Sequence, residues 1–253
     1  MPEATPLRHV IDRLRTADVV ADPYPHYYLE RVFPDVYYGA LLDHLPAGAV
    51  YQNLYEVTDL KLDHFRHRDQ RDFNDGWTET LSPEMKEFWD SFHRWFLGPE
   101  LARAVLDSFA AFANGWPEVS VESQLIRHRA GYFLGPHSDA SSKLAVLLLY
   151  LPRDGRTAHL GTSLYRPKQA GFGCPESRHY PFEDFVRVET APYKPNSALA
   201  FLRSDVSFHG VEPLTEADSA ICGRDVIQYV VYDKAARIAQ LEKRRLAAAR
   251  GAA

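Results

Sequence analysis

Three residues of this chain, His137, Asp139 and His209, have the types and spacing of metal ligands. The first two stand in the segment LGPHSDASSKLAVLLLYLP and the third in FLRSDVSFHGVEP. Neutral imidazole binds borderline divalent ions, and a carboxylate is a hard anionic oxygen donor. Two imidazoles and one carboxylate on one face of an ion leave its other positions open, as in non-haem Fe(II) sites. The three residues therefore predict a metal centre with room for further molecules.

The elements around these residues must bring them together. Residues two apart on a strand project to the same side, so His137 and Asp139 can bind one ion if the backbone there is extended. Glycine and proline turn residues precede His137, and the apolar run 144–151 that follows predicts a buried strand. His209 must then arrive from a neighbouring strand, and strand-like runs lie on both sides of it.

A second histidine and aspartate pair shows that the spacing alone is not enough. His67 and Asp69 have the same spacing, in DHFRHRDQRDFND. That stretch is highly charged, and no apolar strand pattern follows it. We expect a solvated loop there and no metal ligands.

Composition limits the classes of function. A chain of 253 residues, with 45% hydrophobic and 25% charged residues, is ordinary for one globular domain with helical additions. The net charge of −5 gives no support for general nucleic-acid binding. Cys174 and Cys222 are too few for a disulfide framework, which favours the cytoplasm. The N-terminus has no apolar signal-peptide core, and no apolar run reaches the ~18 residues of a membrane span.

The periodicity predicts a β-domain between helical regions. Residues 1–118 indicate a mainly helical support, in which Ser82, Pro83 and Glu84 form a good helix start. Residues 119–233 begin with the alternating VSVESQLIRHR and continue as short apolar runs separated by turns, which is typical of a sandwich or barrel. These runs are 144–151, 160–165, 184–190, 197–203 and 225–233. Residues 234–253 predict a C-terminal helix that frays at its end.

The order of the motifs resembles the 2-oxoglutarate- and Fe(II)-dependent dioxygenases, especially the prolyl-4-hydroxylase-like branch. The resemblance covers residues 20–233 and is strongest over 124–233. Its motifs are PYPHYYLERVFPDVYYGALLDHLP, GYFLGPHSD, LLLYLP, GTSLY, KPNSALAFLRSDVSFHGVEPL and RDVIQYVVYD. The resemblance implies a mainly β fold with flanking helices, built on a double-stranded β-helix (a cupin-like jelly roll).

The resemblance also implies ligands. Fe(II) would be bound by the three residues named first, with 2-oxoglutarate and O2 as co-substrates. Arg224, at the start of the last strand, matches the residue that binds the far carboxylate of 2-oxoglutarate, as the planar guanidinium suits. Tyr150 matches a position that assists this arginine, although a core tyrosine is equally expected. Lys143 is the second candidate for the cation that binds this carboxylate.

The implied reaction is hydroxylation of an unactivated C–H bond with release of succinate and CO2. We expect a small polar metabolite or natural-product intermediate as substrate. A peptidyl or protein prolyl hydroxylase, a desaturase or cyclase, a non-catalytic jelly-roll binding protein, and a cupin-like metalloenzyme without 2-oxoglutarate are the alternatives. Halogenation is disfavoured because Asp139 is present, whereas halogenases of this superfamily replace that ligand with a small residue.

Two further expectations concern the substrate. Arg127 and Arg129 share one face of a strand, which either looks into the barrel toward an anionic or hydroxyl-rich substrate or forms an outward charged edge. The irregular stretch 166–182, RPKQAGFGCPESRHYPF, is either a lid or wall of the substrate pocket or an exposed insertion. The sequence leaves the oligomeric state open.

Overall fold

The computed structural model describes residues 5–58, 61–175 and 177–251. Two antiparallel β-sheets form its centre. Their strands are β1 (His26–Glu30), β2 (Gln52–Asn53), β3 (Arg68–Asp72), β4 (Val119–His128), β5 (Leu134–His137), β6 (Lys143–Tyr150), β7 (Thr162–Pro167), β8 (Phe185–Ala191), β9 (Ser197–Leu202), β10 (His209–Val211) and β11 (Arg224–Asp233). The larger sheet has the order β1-β9-β6-β11-β4-β3-β2, and the smaller has the order β5-β10-β7-β8. Two facing antiparallel sheets with these crossovers make a double-stranded β-helix.

Helices come mainly from the two ends of the chain. They are α1 (Pro6–Arg15), α2 (Asp35–Asp43), α3 (Leu54–Val57), α4 (Pro83–Phe96), α5 (Pro99–Asp107), α6 (Glu216–Ile221) and α7 (Lys234–Gly251). The expected start of α4 is confirmed, since the Ser82 side chain accepts a hydrogen bond from the Met85 N–H. Within the described ranges, every helix is too short or too polar to cross a lipid bilayer.

The larger sheet has two different buried faces because its strands alternate. On β11, Ile227 and Val231 belong to a core shared with the helices, which includes Trp89 of α4. Val226 and Val230 of the same strand belong to a second core between the two sheets. Burying one side chain of this size stabilises the fold by roughly 1.5–3 kcal/mol. The helices thus cover the outer face, and the inner face is left to line the roll.

One local expectation was wrong. Residues 67–69 are not a solvated loop: a 3₁₀ turn, Asp63–His67, leads directly into β3, which pairs with β4. The chain between β10 and β11 contains α6, whose capping box joins Thr215 and Asp218.

Candidate active site

The metal-ligand candidates meet where two short strands of the smaller sheet pair. His137 ends β5, His209 begins β10, and the two residues lie directly opposite each other in the register. Asp139 follows two residues after His137. All three are buried, and one potential ligand atom from each lies within 4.8 Å of the others. Elsewhere in the described ranges, no other such group of three is found.

Glycines allow these strands to approach each other closely. A Cβ atom on Gly210, the residue after His209, would lie 2.5 Å from the Leu134 carbonyl oxygen. A Cβ atom on Gly135 would lie 2.5 Å from the Tyr180 carbonyl oxygen. Only glycine fits at both positions without movement of backbone. Gly210 therefore allows β10 to approach β5 closely, and Gly135 allows the segment that carries Tyr180 to pack on β5.

Hydrogen bonds set the tautomer of both histidines. His137 Nδ1 lies 3.1 Å from the Gly135 carbonyl oxygen, and His209 Nδ1 lies 3.0 Å from the Ser207 carbonyl oxygen. A carbonyl only accepts, so each Nδ1 carries the hydrogen and donates it. Each Nε2 then has a free lone pair, which is the arrangement of metal-bound histidines with a backbone partner.

The three ligand candidates have the protonation states that a bound cation requires. Burial lowers the pKa of His137 and of His209, and both imidazoles are therefore neutral at neutral pH. Burial by itself raises the pKa of Asp139, but the charge of Lys143 and its hydrogen bond to the carboxylate hold the pKa well below its usual range. The Lys143 ammonium lies 2.6 Å from Asp139 Oδ1. Lys143 is thus a partner of the carboxylate ligand candidate rather than a free cation.

One oxygen of this carboxylate lacks a partner. Asp139 Oδ2 is buried and accepts no hydrogen bond from a described residue, while His209 Nε2 lies 3.7 Å away. An ionised oxygen without a partner is costly in a protein interior. Two neutral imidazoles with free Nε2 atoms and one unsatisfied carboxylate oxygen therefore fit a divalent metal ion.

The three residues line one end of a cavity of about 350 Å³, and Arg224 lines the same cavity. Arg224 is buried and donates hydrogen bonds to the Leu160 carbonyl (2.6 Å), to Thr162 Oγ1 (3.0 Å) and to His128 Nδ1 (3.0 Å). All these acceptors are neutral. In the described part of the chain, no carboxylate lies within ion-pair distance of this guanidinium.

Aromatic rings surround Arg224. The rings of Tyr150 and Tyr193 each have their centroid 5.6 Å from its guanidinium carbon. His128, which accepts from Arg224, is stacked on Tyr132 with ring centroids 3.7 Å apart. Burial, followed by the charge of Arg224, lowers the pKa of His128 well below its usual value, so this ring is a neutral acceptor. Tyr150 thus lies beside Arg224, as expected, and its role in the pocket stays a prediction.

The structure does not bring Arg127 and Arg129 to this cavity. Arg127 pairs with Asp225 (2.7 Å) and Arg129 with Asp69 (3.0 Å), both away from the interior of the roll. The inner face of β4 instead presents Gln124, Ile126 and His128 to the cavity. Strand alternation identified two faces correctly, and the outward alternative describes these arginines.

The stretch 166–182 is partly a wall of the cavity. Ser177 and His179 line it, and the His179 ring lies 4.9 Å from the His137 ring between centroids. Phe172 instead stacks on Phe208 in a separate small core. Glu176 lies outside the described residues. The aromatic residues of this stretch thus mainly hold it in place, and His179 alone among them reaches the cavity.

Some cavity residues escaped the sequence analysis. His128 and Thr162, which contact Arg224, are two of them. They stand on strands that the motifs had located, so alternation counted from a known inner residue would have found them. His179, which contacts His137, lies in the stretch 166–182 that was expected to be either a wall of the pocket or an exposed insertion.

No protein-family model matches the sequence, and the search of curated proteins finds no match. The solved structures do show a likeness. A prolyl hydroxylase from Trichoplax adhaerens, solved with a hypoxia inducible factor oxygen degradation domain peptide fragment, has a TM-score of 0.52 at 12% identity, over 92% of this chain and 91% of that chain. A prolyl-4-hydroxylase from Pseudomonas putida has a TM-score of 0.46 at 16% identity, over 90% and 98%. The first likeness confirms the expected fold.

Proposed function

We propose that this chain is a 2-oxoglutarate- and Fe(II)-dependent dioxygenase that hydroxylates an unactivated C–H bond of a small polar molecule. One observation carries the proposal. A buried donor set of two neutral imidazoles and one carboxylate shares a single cavity with a buried arginine that has no carboxylate partner among the described residues. The two ends of 2-oxoglutarate match these two features, because one end chelates a metal and the other is a carboxylate.

The residues divide into two anchors. His137, Asp139 and His209 would hold Fe(II), and Arg224 would form charge-assisted hydrogen bonds with the far carboxylate of 2-oxoglutarate. Fe(II) held by these residues would supply the O2 chemistry that decarboxylates 2-oxoglutarate and oxidises a C–H bond. One oxygen atom enters succinate and the other enters the product alcohol, with release of CO2. No protein group need act as acid or base, so the chain supplies position, charge and exclusion of water.

The burial of Arg224 without a carboxylate partner favours this proposal over two alternatives. A non-catalytic binding protein gains nothing from a buried unpaired carboxylate oxygen and a buried cation, since both are costly without partners. A cupin-like enzyme that works without 2-oxoglutarate leaves Arg224 without a carboxylate. The cavity of about 350 Å³ is at the small end of ligand sites, which favours a compact substrate over a folded partner.

Succinate formation tests the proposal. The protein is purified without metal, supplied with Fe(II), 2-oxoglutarate and O2, and incubated with and without fractionated metabolite pools and synthetic peptides. We expect slow succinate formation that requires Fe(II) and rises with one pool fraction. Asp139→Ala, which removes one proposed ligand, is the comparison protein. Equal succinate from the two proteins under every condition would overturn the assignment.

A further inference from the structure

The C-terminal helix α7 forms part of the wall of this cavity. Arg237 pairs with Glu122 of β4, with 2.6 Å between Nε and Oε1, and Gln240 accepts a hydrogen bond of 2.8 Å from Ser142. Residues three and four apart on a helix share a face, so Arg237 and Gln240 direct the residue one turn further on, Arg244, to the same side. Arg244 accordingly lines the cavity. The helix is thus attached to the rim and carries a cation to it.

A second cation reaches the cavity from β3. Arg68 lies opposite His128 in the register, on the inner side of the sheet. Its guanidinium donates to Gln70 Oε1 and to Gln124 Oε1, both at 3.2 Å. These amide oxygens are neutral. Gln70 and Gln124 also line the cavity, so they hold the guanidinium in place there.

Arg68 and Arg244 differ from their neighbours in having no anion. Arg127, Arg129 and Arg237 each form an ion pair. Within the described ranges, no carboxylate lies in ion-pair distance of Arg68, and the Arg244 guanidinium has neither an ion pair nor a hydrogen bond. Arg68 and Arg244 at the cavity therefore have no anionic partner among the described residues, whereas the three arginines near it are each neutralised by a carboxylate of the protein.

The charges of the cavity are unbalanced. Its ionised lining groups are Arg68, Lys143, Arg224 and Arg244 against the single carboxylate Asp139. An Fe(II) ion and a 2-oxoglutarate dianion cancel each other. Lys143 neutralises Asp139, so the excess of positive charge remains after both have bound. A cavity of one sign attracts ligands of the opposite sign and concentrates them.

We infer that Arg68 and Arg244 form an anion-binding subsite, and that the substrate carries a carboxylate or phosphate group held there. The identification of the anion as a substrate rests on the proposed function, whereas the subsite itself does not. Guanidinium groups suit both carboxylate and phosphate, because their planar fork donates two parallel hydrogen bonds. The hydroxylated carbon then lies on a part of the substrate that extends from this anchor toward the metal.

Inorganic phosphate is the first probe. The wild-type protein, Arg68→Gln and Arg244→Gln are saturated with Fe(II) and 2-oxoglutarate without O2, and phosphate binding is measured by calorimetry. Arg245→Gln is the matched control, since Arg245 is exposed on the same helix and does not line the cavity. We expect the phosphate Kd to rise roughly tenfold in each cavity variant, the loss of one charged hydrogen-bond partner, and to stay unchanged in the control.

Absence of phosphate binding to the wild type, or one Kd for all four proteins, would overturn the subsite. Arg244→Gln keeps the test valid if Arg68→Gln fails to fold, because Arg244 is exposed and makes no contact that the fold needs. Anion-exchange chromatography of the metabolite pools gives a second test, which concerns the charge of the substrate. The fraction that stimulates succinate release should be retained by the anion-exchange resin. A neutral or cationic stimulating compound contradicts the anionic substrate. Intact phosphate binding with no succinate from any fraction supports the subsite and contradicts the proposed function.

Discussion

The two faces of the larger sheet both carry buried side chains but are chemically different. The outer face of β11 presents Ile227 and Val231 to the helices, in a core where apolar side chains pack against one another. The inner face of the same strand presents Arg224 and Gln228 to the cavity beside Val226. One strand thus supports stability on one side and a site on the other. Adjacent residues of this strand should therefore have different effects when they are replaced.

The largest difference should be in 2-oxoglutarate affinity, when an arginine of the inner face and an arginine of the outer face are each replaced by alanine. Arg224→Ala leaves a co-substrate carboxylate unpaired, which costs roughly 3–5 kcal/mol. The 2-oxoglutarate Kd should therefore rise by about two to four orders of magnitude, measured by calorimetry on the Fe(II) form without O2. Arg127→Ala, on the outer face and paired with Asp225, should leave that Kd unchanged. An unchanged Kd in Arg224→Ala would exclude Arg224 as the anchor of the far carboxylate.

The same comparison can be made within two adjacent residues of β11. Ile227 is completely buried in the outer core, so Ile227→Ala should lower the free energy of unfolding by roughly 2–5 kcal/mol in urea titrations. The affinity for 2-oxoglutarate of the folded variant should not change. Gln228→Ala should lower the free energy of unfolding by less than about 1 kcal/mol. If both substitutions have the same effect on stability, the division of the two faces is wrong.

A smaller effect should separate two residues of the wall segment. His179 faces the metal-ligand candidates, so His179→Ala should open the cavity to water and lower the ratio of hydroxylated product to succinate. Phe172→Ala removes a ring that stacks on Phe208 and should lower the melting temperature instead. Product and succinate are quantified in the same reaction, and Tm by calorimetry. A wild-type product ratio in His179→Ala would exclude it as part of the wall.

The sequence predicted the strands whose own residues have a strand-like pattern. The runs 144–151, 184–190, 197–203 and 225–233 coincide with β6, β8, β9 and β11 to within one residue at either end. The strands β6, β9 and β11 are largely buried and apolar, and hence visible in the sequence. The strand β8 is mostly exposed, and its β-branched residues made it visible instead. By contrast β3, with the sequence RDQRD, is a strand because β4 supplies its hydrogen-bond partners. Its charged side chains gave no such signal.

Side-chain direction was predictable only in part. The resemblance placed Arg224 in the co-substrate pocket, and the structure brings it to the cavity that the metal-ligand candidates line. Alternation put Arg127 and Arg129 on one face, but the packing of the helices decides which face is outer. The C-terminal helix was recognised, whereas the approach of Arg244 to the cavity depends on contacts of Arg237 and Gln240 with distant strands. Such contacts leave no periodic trace in a single sequence.

Titration with Fe(II) without O2 tests the central claim most directly, because it asks whether His137, Asp139 and His209 are the ligand set. We expect one Fe(II) per chain in the wild type and in His67→Ala. His67 has the same spacing to an aspartate but lies outside the group of three ligand candidates. We expect a loss of affinity of at least about a hundredfold in Asp139→Ala, as expected when a ligand is removed. Full Fe(II) affinity in Asp139→Ala, or its loss in His67→Ala, would mean that these three residues are not the ligand set.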